Sequence, residues 1–363
     1  MKQSASTTPG IANAGARQLL EAGRLDEALA AASAEADADP SNVEALYLKA
    51  VAERYLNRTQ AALETVARLQ ALEPRFARAY QEEGHLQKAL GDTARAVAAY
   101  RRAVELNRAL MASWRELAAL EAHRGNRAAQ QAAQAEYERL AELPAELVSV
   151  TSLFQEGKLF QAENLCRDFL RRHPRHVEAM RLLARIGMKL FIYDDAEFLL
   201  ESCVEFAPDN WLCRRDYVEI LHKRQKFEQA AAQAAALRDR FPGNPAFELS
   251  YANECVAVGR FDAALSIYDR VIERHGELEQ PLLARGHVLK TVGRLDEAVA
   301  SYRNASRARA DFGDAFWSLA NLKTYRFTDE EIAAMERYVD DGRTALTDRF
   351  QLSFALGKAW EDR

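Results

Sequence analysis

Small and large apolar residues return along this chain at a fixed interval of 34 positions. Alanine stands at 28, 62, 96, 162, 196, 230, 264 and 298, with Gln130 interrupting the series once. A second small series runs Ala16, Ala50, Gly84, Ala118, Ala184, Val218, Ala252, Gly286 and Ala320. Larger residues fill a third, at Tyr100, Cys166, Leu200, Tyr268 and Tyr302, and a fourth, at Leu25, Leu159, Tyr193, Phe227, Phe261 and Leu295. Turn glycines (Gly23, Gly91, Gly125, Gly157, Gly259, Gly293) separate the two halves of each unit. Prolines at 40, 74, 174, 208 and 242 close it, since proline cannot continue a helical ladder. The pattern predicts two helices per unit, with the small residues placed where the helices cross and the backbones must meet.

The composition agrees: Ala, Leu, Glu and Arg dominate over 16 Gly and 9 Pro, and no long alternating run suggests a strand. The spacing slips once. Arg108 stands where a proline is due, and from there to Pro174 is 66 residues, two short of two periods. An irregular junction is expected near 141–147, where the twist or direction of the stack would change.

By repeat length, small-residue positions and terminal proline together, the chain resembles the tetratricopeptide repeat (TPR) family. The resemblance implies an all-α, right-handed α-solenoid (superhelix) of about ten 34-residue helix-turn-helix units, first helices lining its concave face. The expected organisation is a disordered tail at 1–8, units one to four at 9–142 and units five to nine at 143–310. An atypical tenth unit follows at 311–341, and 342–363 begins an eleventh. In the tenth, Thr328 and Glu331 make a capping box, and Ile332 replaces the expected alanine, so its helices should cross differently. The segment Phe350–Trp360, capped by Thr347 or Asp348, reads as a first helix without a second, leaving Leu352, Phe354, Leu356 and Trp360 partly uncovered. It is expected to lead into a C-terminal domain outside this chain.

A net charge of −5 over 49 basic and 54 acidic residues gives no reason to expect nucleic acid as a partner. No apolar run is long enough to enter a membrane as a span, and the first ten residues lack a secretory core, so a cytoplasmic protein is expected. Cys166, Cys203, Cys213 and Cys255 fall at packing positions and read as free buried thiols.

No catalytic cluster emerges. His173 and His176 lack further ligands at metal spacing, the pairs Asp194-Asp195 and Asp340-Asp341 lie in or near turns, and no phosphate-binding glycine loop occurs. The expected catalytic, metal and cofactor assignments for this chain are therefore none. The ninth position of each unit should point into the groove. It reads Val51, His85, Ala119, then Arg185, Glu219, Asn253, His287 and Asn321. Neighbouring positions add Arg181, Lys189, Arg215, His222, Lys223, Lys290 and Trp317. Such a surface suits a protein or peptide, with Asn for its backbone and Arg for its carboxylates; solvated helix faces are the plain alternative.

Residues 311–327, Asp329–Met335 and Asp348–Asp362 more narrowly resemble the junction of bacterial TPR-containing sulfotransferases. That resemblance implies a following α/β domain using 3′-phosphoadenylyl sulfate, with this chain as its substrate-recruiting arm. A free-standing TPR adaptor in complex assembly, or the arm of another transferase such as one adding N-acetylglucosamine, stay open. An uncovered C-terminal helix also leaves a homo-oligomer open.

Overall fold

In the computed structural model the backbone is described from Pro9 to Arg363 and the side chains from Gly15. The tail expected at 1–8 lies outside the described residues. Those residues form 21 α-helices and no strand. The first four repeats pair α1 (Pro9–Glu21) with α2 (Leu25–Ala38), α3 (Val43–Tyr55) with α4 (Thr59–Leu72), α5 (Ala77–Ala89) with α6 (Thr93–Leu106), and α7 (Met111–His123) with α8 (Arg127–Ala141). Repeats five and six supply α9 (Ala145–Gln155), α10 (Leu159–Arg172), α11 (Val177–Lys189) and α12 (Tyr193–Phe206). Repeats seven to nine are α13 (Trp211–Lys223) with α14 (Phe227–Arg240), α15 (Pro245–Ala257) with α16 (Phe261–His275), and α17 (Glu279–Thr291) with α18 (Leu295–Ala308). Three helices close the chain: α19 (Gly313–Ala320), α20 (Asp329–Asp340) and α21 (Leu346–Glu361).

Two compact units are present, residues 1–190 and 191–363, the division falling in the turn between α11 and α12.

Close helix approach explains the small-residue series. Ala16, Ala28, Ala50, Ala62, Ala252, Ala264 and Ala298 are fully buried. At Gly84 and Gly286 even a methyl would be too much: a Cβ there would stand 2.6 Å from the Tyr100 ring and 2.4 Å from the Tyr302 ring. Each turn reverses through a left-handed residue. The six turn glycines all have positive φ, and Asn57, Phe191 and Gln225 adopt the same conformation at 58°, 63° and 60° where glycine is absent.

The two-residue slip shortens α9 to 11 residues, against 13 for the first helices on either side of it. Glu142 ends α8, Pro144 opens α9 with φ −52° and ψ 137°, and α8 and α9 do not pack as the other consecutive helices of this unit do. Instead α9 packs on α10 and α11.

The end of the chain departs from the repeat. Thr328 and Glu331 form the capping box, but α19 packs on α18 and α21 rather than on α20. Ile332 of α20 shares a buried core with Phe316 of α19, and α21 lies closest to α19. The helix expected to open an eleventh unit, α21, packs on both α19 and α20. It starts at Leu346 with no side-chain cap, and Asp348 instead accepts the Gly313 N–H at 3.0 Å and an Arg309 N–H at 2.7 Å. Leu352, expected to be partly uncovered, is fully buried in a core with Phe316, Ile332, Met335 and Ala355. Phe354 and Trp360 are exposed, as are Leu346 and Phe350, and the Phe350 ring lies against that of Phe354.

Candidate functional site

The first helices carry the polar residues expected to face a groove, and their surroundings differ in the two units. In residues 1–190, ion pairs link one first helix to the next. Arg54 of α3 meets Glu82 of α5, and Lys88 of α5 meets Glu116 of α7. Burial pushes the Glu82 carboxyl up and the Arg54 charge pulls it back. His85 is hydrogen-bonded through Nδ1 to the Tyr100 hydroxyl at 2.7 Å, and burial, followed by the Arg54 charge, lowers its pKa to about 4. These are cross-repeat ties that a single-position count along the sequence does not reveal. A 28-residue offset between a cation and a carboxylate was the readable signal.

Three candidate groove residues lie in this unit. Arg181 is corrected: only 4% exposed, it forms two hydrogen bonds with Glu178 at 2.8 and 2.7 Å, three residues back on α11, and so presents no guanidinium to a ligand. A polar residue at a groove position was drawn inward by a carboxylate one turn away. Arg185 lies over the Phe154 ring at 5.0 Å, and Lys189 is exposed at the end of α11. A cleft of about 280 Å³ opens elsewhere in this unit, lined by Arg17, Glu44 and Arg78 of the first helices and by Ser152, Leu153 and Glu156 of repeat five.

In residues 191–363, Arg215 stacks at 5.6 Å on Trp211 and pairs with the buried Asp216 at 2.6 Å. Glu219 is exposed and 3.7 Å from Lys223 one turn on. His222 bonds Glu254 of the next first helix at 2.9 Å. Asn253 and His287 keep exposed edges, yet each is anchored within its own repeat. Tyr268 donates to Asn253 Oδ1 at 2.6 Å, and His287 Nδ1 is 2.9 Å from the Tyr302 hydroxyl. Burial lowers the His287 pKa, and it raises the Tyr268 and Tyr302 hydroxyls to about 12. Trp317 is 43% exposed and Lys290 is exposed. Asn321 is exposed at the end of α19, which stops at Ala320, and its Nδ2 donates to the Trp317 carbonyl at 3.0 Å.

The other chemistry-bearing residues have local duties. His176 Nδ1 caps α11 by accepting the Ala179 N–H, and His173 and His176 both pack on the Phe169 ring. Asp194 pairs with Arg224, and Asp341 with Arg343. All four cysteines are buried and unpaired with one another; burial raises the Cys166 thiol to about 12. Among the described residues no group of three or more His, Cys, Asp or Glu is arranged to hold a metal. No described helix is long and apolar enough to cross a membrane.

Tetratricopeptide-repeat family profiles match residues 13–80, 77–110 and 147–210. Together with the helix pairs, glycine turns and buried small residues, they define an all-α TPR solenoid. The chain therefore carries tetratricopeptide repeats. No curated protein matches the sequence significantly. Among solved structures the chain is similar to yeast Tom70, with 16% identity over 99% of this chain and 90% of that one, at a TM-score of 0.47. It is also similar to MamA AMB-1, with 19% identity over 46% of this chain and 99% of that one, at a TM-score of 0.42. A tetratricopeptide repeat protein from Parabacteroides merdae shows 13% identity over 83% of this chain and 93% of that one, at a TM-score of 0.35.

Proposed function

We propose that this chain is a protein-binding scaffold whose first helices in repeats seven to ten hold an extended peptide. The observation that supports it most is the exposed set Glu219, Asn253, His287, Lys290 and Trp317 on successive first helices. Tyr268 and Tyr302 fix the Asn253 and His287 side chains from below, so their outer edges meet a ligand already ordered, and less entropy is lost on binding. Trp317 offers an apolar plate and Lys290 a charge, a combination suited to a peptide carrying both an apolar side chain and a carboxylate. The test is panning of a displayed random-peptide library on the full chain, followed by affinity measurement for the enriched peptides. Enriched peptides should lose about tenfold or more in affinity on Trp317→Ala together with Lys290→Glu, the loss of an aromatic anchor and a charge contact. Peptides that bind the double variant as tightly as the parent would remove the reading.

The likeness of residues 311–362 to the sulfotransferase junction supports a finer reading. On it, the scaffold recruits acceptors for a sulfotransferase domain that binds 3′-phosphoadenylyl sulfate, none of whose donor-site residues lie in this chain. The discriminating observation is the reading frame beyond Arg363. A strand followed by a phosphate-cradling loop supports the sulfotransferase arm; a stop codon supports a free-standing adaptor.

A further inference from the structure

The first helices of repeats one to three do not face open solvent everywhere: the α9–α10 corner of repeat five stands against them. Glu156 at the end of α9 lies 3.8 Å from Arg78 of α5. Ser152, one turn earlier, accepts a hydrogen bond from the buried Asn107 at 2.9 Å. The cleft of about 280 Å³ lies between, with Arg17, Glu44, Phe76 and Arg78 on one side and Ser149, Ser152, Leu153, Glu156 and Lys158 on the other. Two features make this contact unlike the packing inside a repeat. It is polar and loosely filled, whereas repeat crossings bury alanine and glycine completely. It is also reached through a three-residue connector, Glu142 to Pro144, across which α8 and α9 do not stack.

We propose that this connector is a hinge and that the α9–α10 corner is a latch over the inner face of repeats one to three. Arg78–Glu156 and Asn107–Ser152 hold the latch shut, and the walls of the cleft open to solvent when it swings away. The ion pair is only partly buried, with side-chain exposures of 37% and 20%, so its contribution is modest and the closed state is reversible.

Hydroxyl-radical footprinting with mass spectrometry on the full chain tests this, read at Phe76 and Leu153, which line opposite walls of the cleft. Glu156→Lys sets like charges opposite Arg78 and is expected to raise oxidation of both residues by about threefold or more, as loss of an ion pair plus repulsion would. Arg78→Glu added to it restores an opposite-charge pair and should return both toward the parent value. Lys158→Gln, which removes only the Lys158–Glu156 pair at 2.7 Å, should leave both unchanged. If Glu156→Lys merely weakened repeat five, Arg78→Glu would not rescue it, and that result overturns the latch. Unchanged oxidation in Glu156→Lys, with circular dichroism showing an intact fold, overturns it as well.

Discussion

At the scale of single residues, the repeat is governed by two steric demands. The turn between paired helices needs a left-handed residue, and three turns supply it without glycine. Gln225, at φ 60°, carries the strain that a Cβ imposes in that region. Gln225→Gly is expected to stabilise the chain by about 0.5–1 kcal/mol, the relief of left-handed strain less the added freedom of the unfolded glycine. A rise in thermal midpoint with an unchanged helical spectrum would bear this out; a fall would mean that the side chain makes a compensating contact. The second demand, small residues at the crossing, has a polar consequence. Where glycine admits Tyr100 over Gly84, the tyrosine hydroxyl reaches His85, and burial holds that imidazole near a pKa of about 4 against an ordinary 6.5. The folded value lies below the unfolded one, so the unfolded chain takes up the proton first on acidification. The stability tied to neutral His85 is complete above about pH 6.5 and is lost as pH falls toward 4, up to about 3 kcal/mol. Denaturant midpoints measured from pH 7.5 to 4.5 should therefore fall less steeply in His85→Asn than in the parent. Equal slopes would place the acid sensitivity in other groups.

Helix pairs show where the repeat rule ends. The sequence carries Thr328, Glu331 and Ile332 in plain view, and the capping box and an altered α19–α20 crossing are expected from them. What replaces the crossing does not follow, because α21 is recruited by a contact 35 residues away, Asp348 to the Gly313 N–H. No periodicity encodes such a pairing. Asp348 does for α19 what a local cap usually does, satisfying an orphan N–H at a helix start, and it also binds Arg309. Asp348→Ala is expected to cost about 1–2 kcal/mol, a partly buried charge-assisted bond being worth more than a neutral one. Hydrogen exchange should quicken across α19 and α21 while α13–α16 keep their protection. The same limit applies to the candidate groove. Spacing placed Glu219, Asn253, His287 and Trp317 on exposed helix faces, where they are found. It could not show that Glu178 would draw Arg181 inward, nor that α19 would stop at Ala320 and turn Asn321 into a cap. Period fixes which side of a helix a residue occupies; side-chain pairing and helix length are decided by particular neighbours.

For the whole molecule, stability should be nearly local. As far as α18 each helix packs mainly on its neighbours in sequence, so that part of the array resembles a chain of coupled units rather than one core. Two compact units are present, and inside the first the stack is further interrupted between α8 and α9. Matched glycine substitutions probe this directly. Gly84→Ala and Gly286→Ala each drive a methyl into a fully buried tyrosine ring, one in each unit, and overpacking of this kind costs about 1–3 kcal/mol. The rings cannot swing clear, because Tyr100 and Tyr302 are enclosed and tied to His85 and His287. Native-state hydrogen exchange should then report two separate losses. Gly84→Ala should weaken protection around α3–α8 and leave α13–α18 near the parent level; Gly286→Ala should do the reverse. Denaturant unfolding of either variant should broaden or split, since one part of the array would melt ahead of the other. Equal loss of protection throughout, with a single sharp transition, would mean that the repeats unfold as one cooperative body, and the interruption between α8 and α9 would then be a matter of geometry alone.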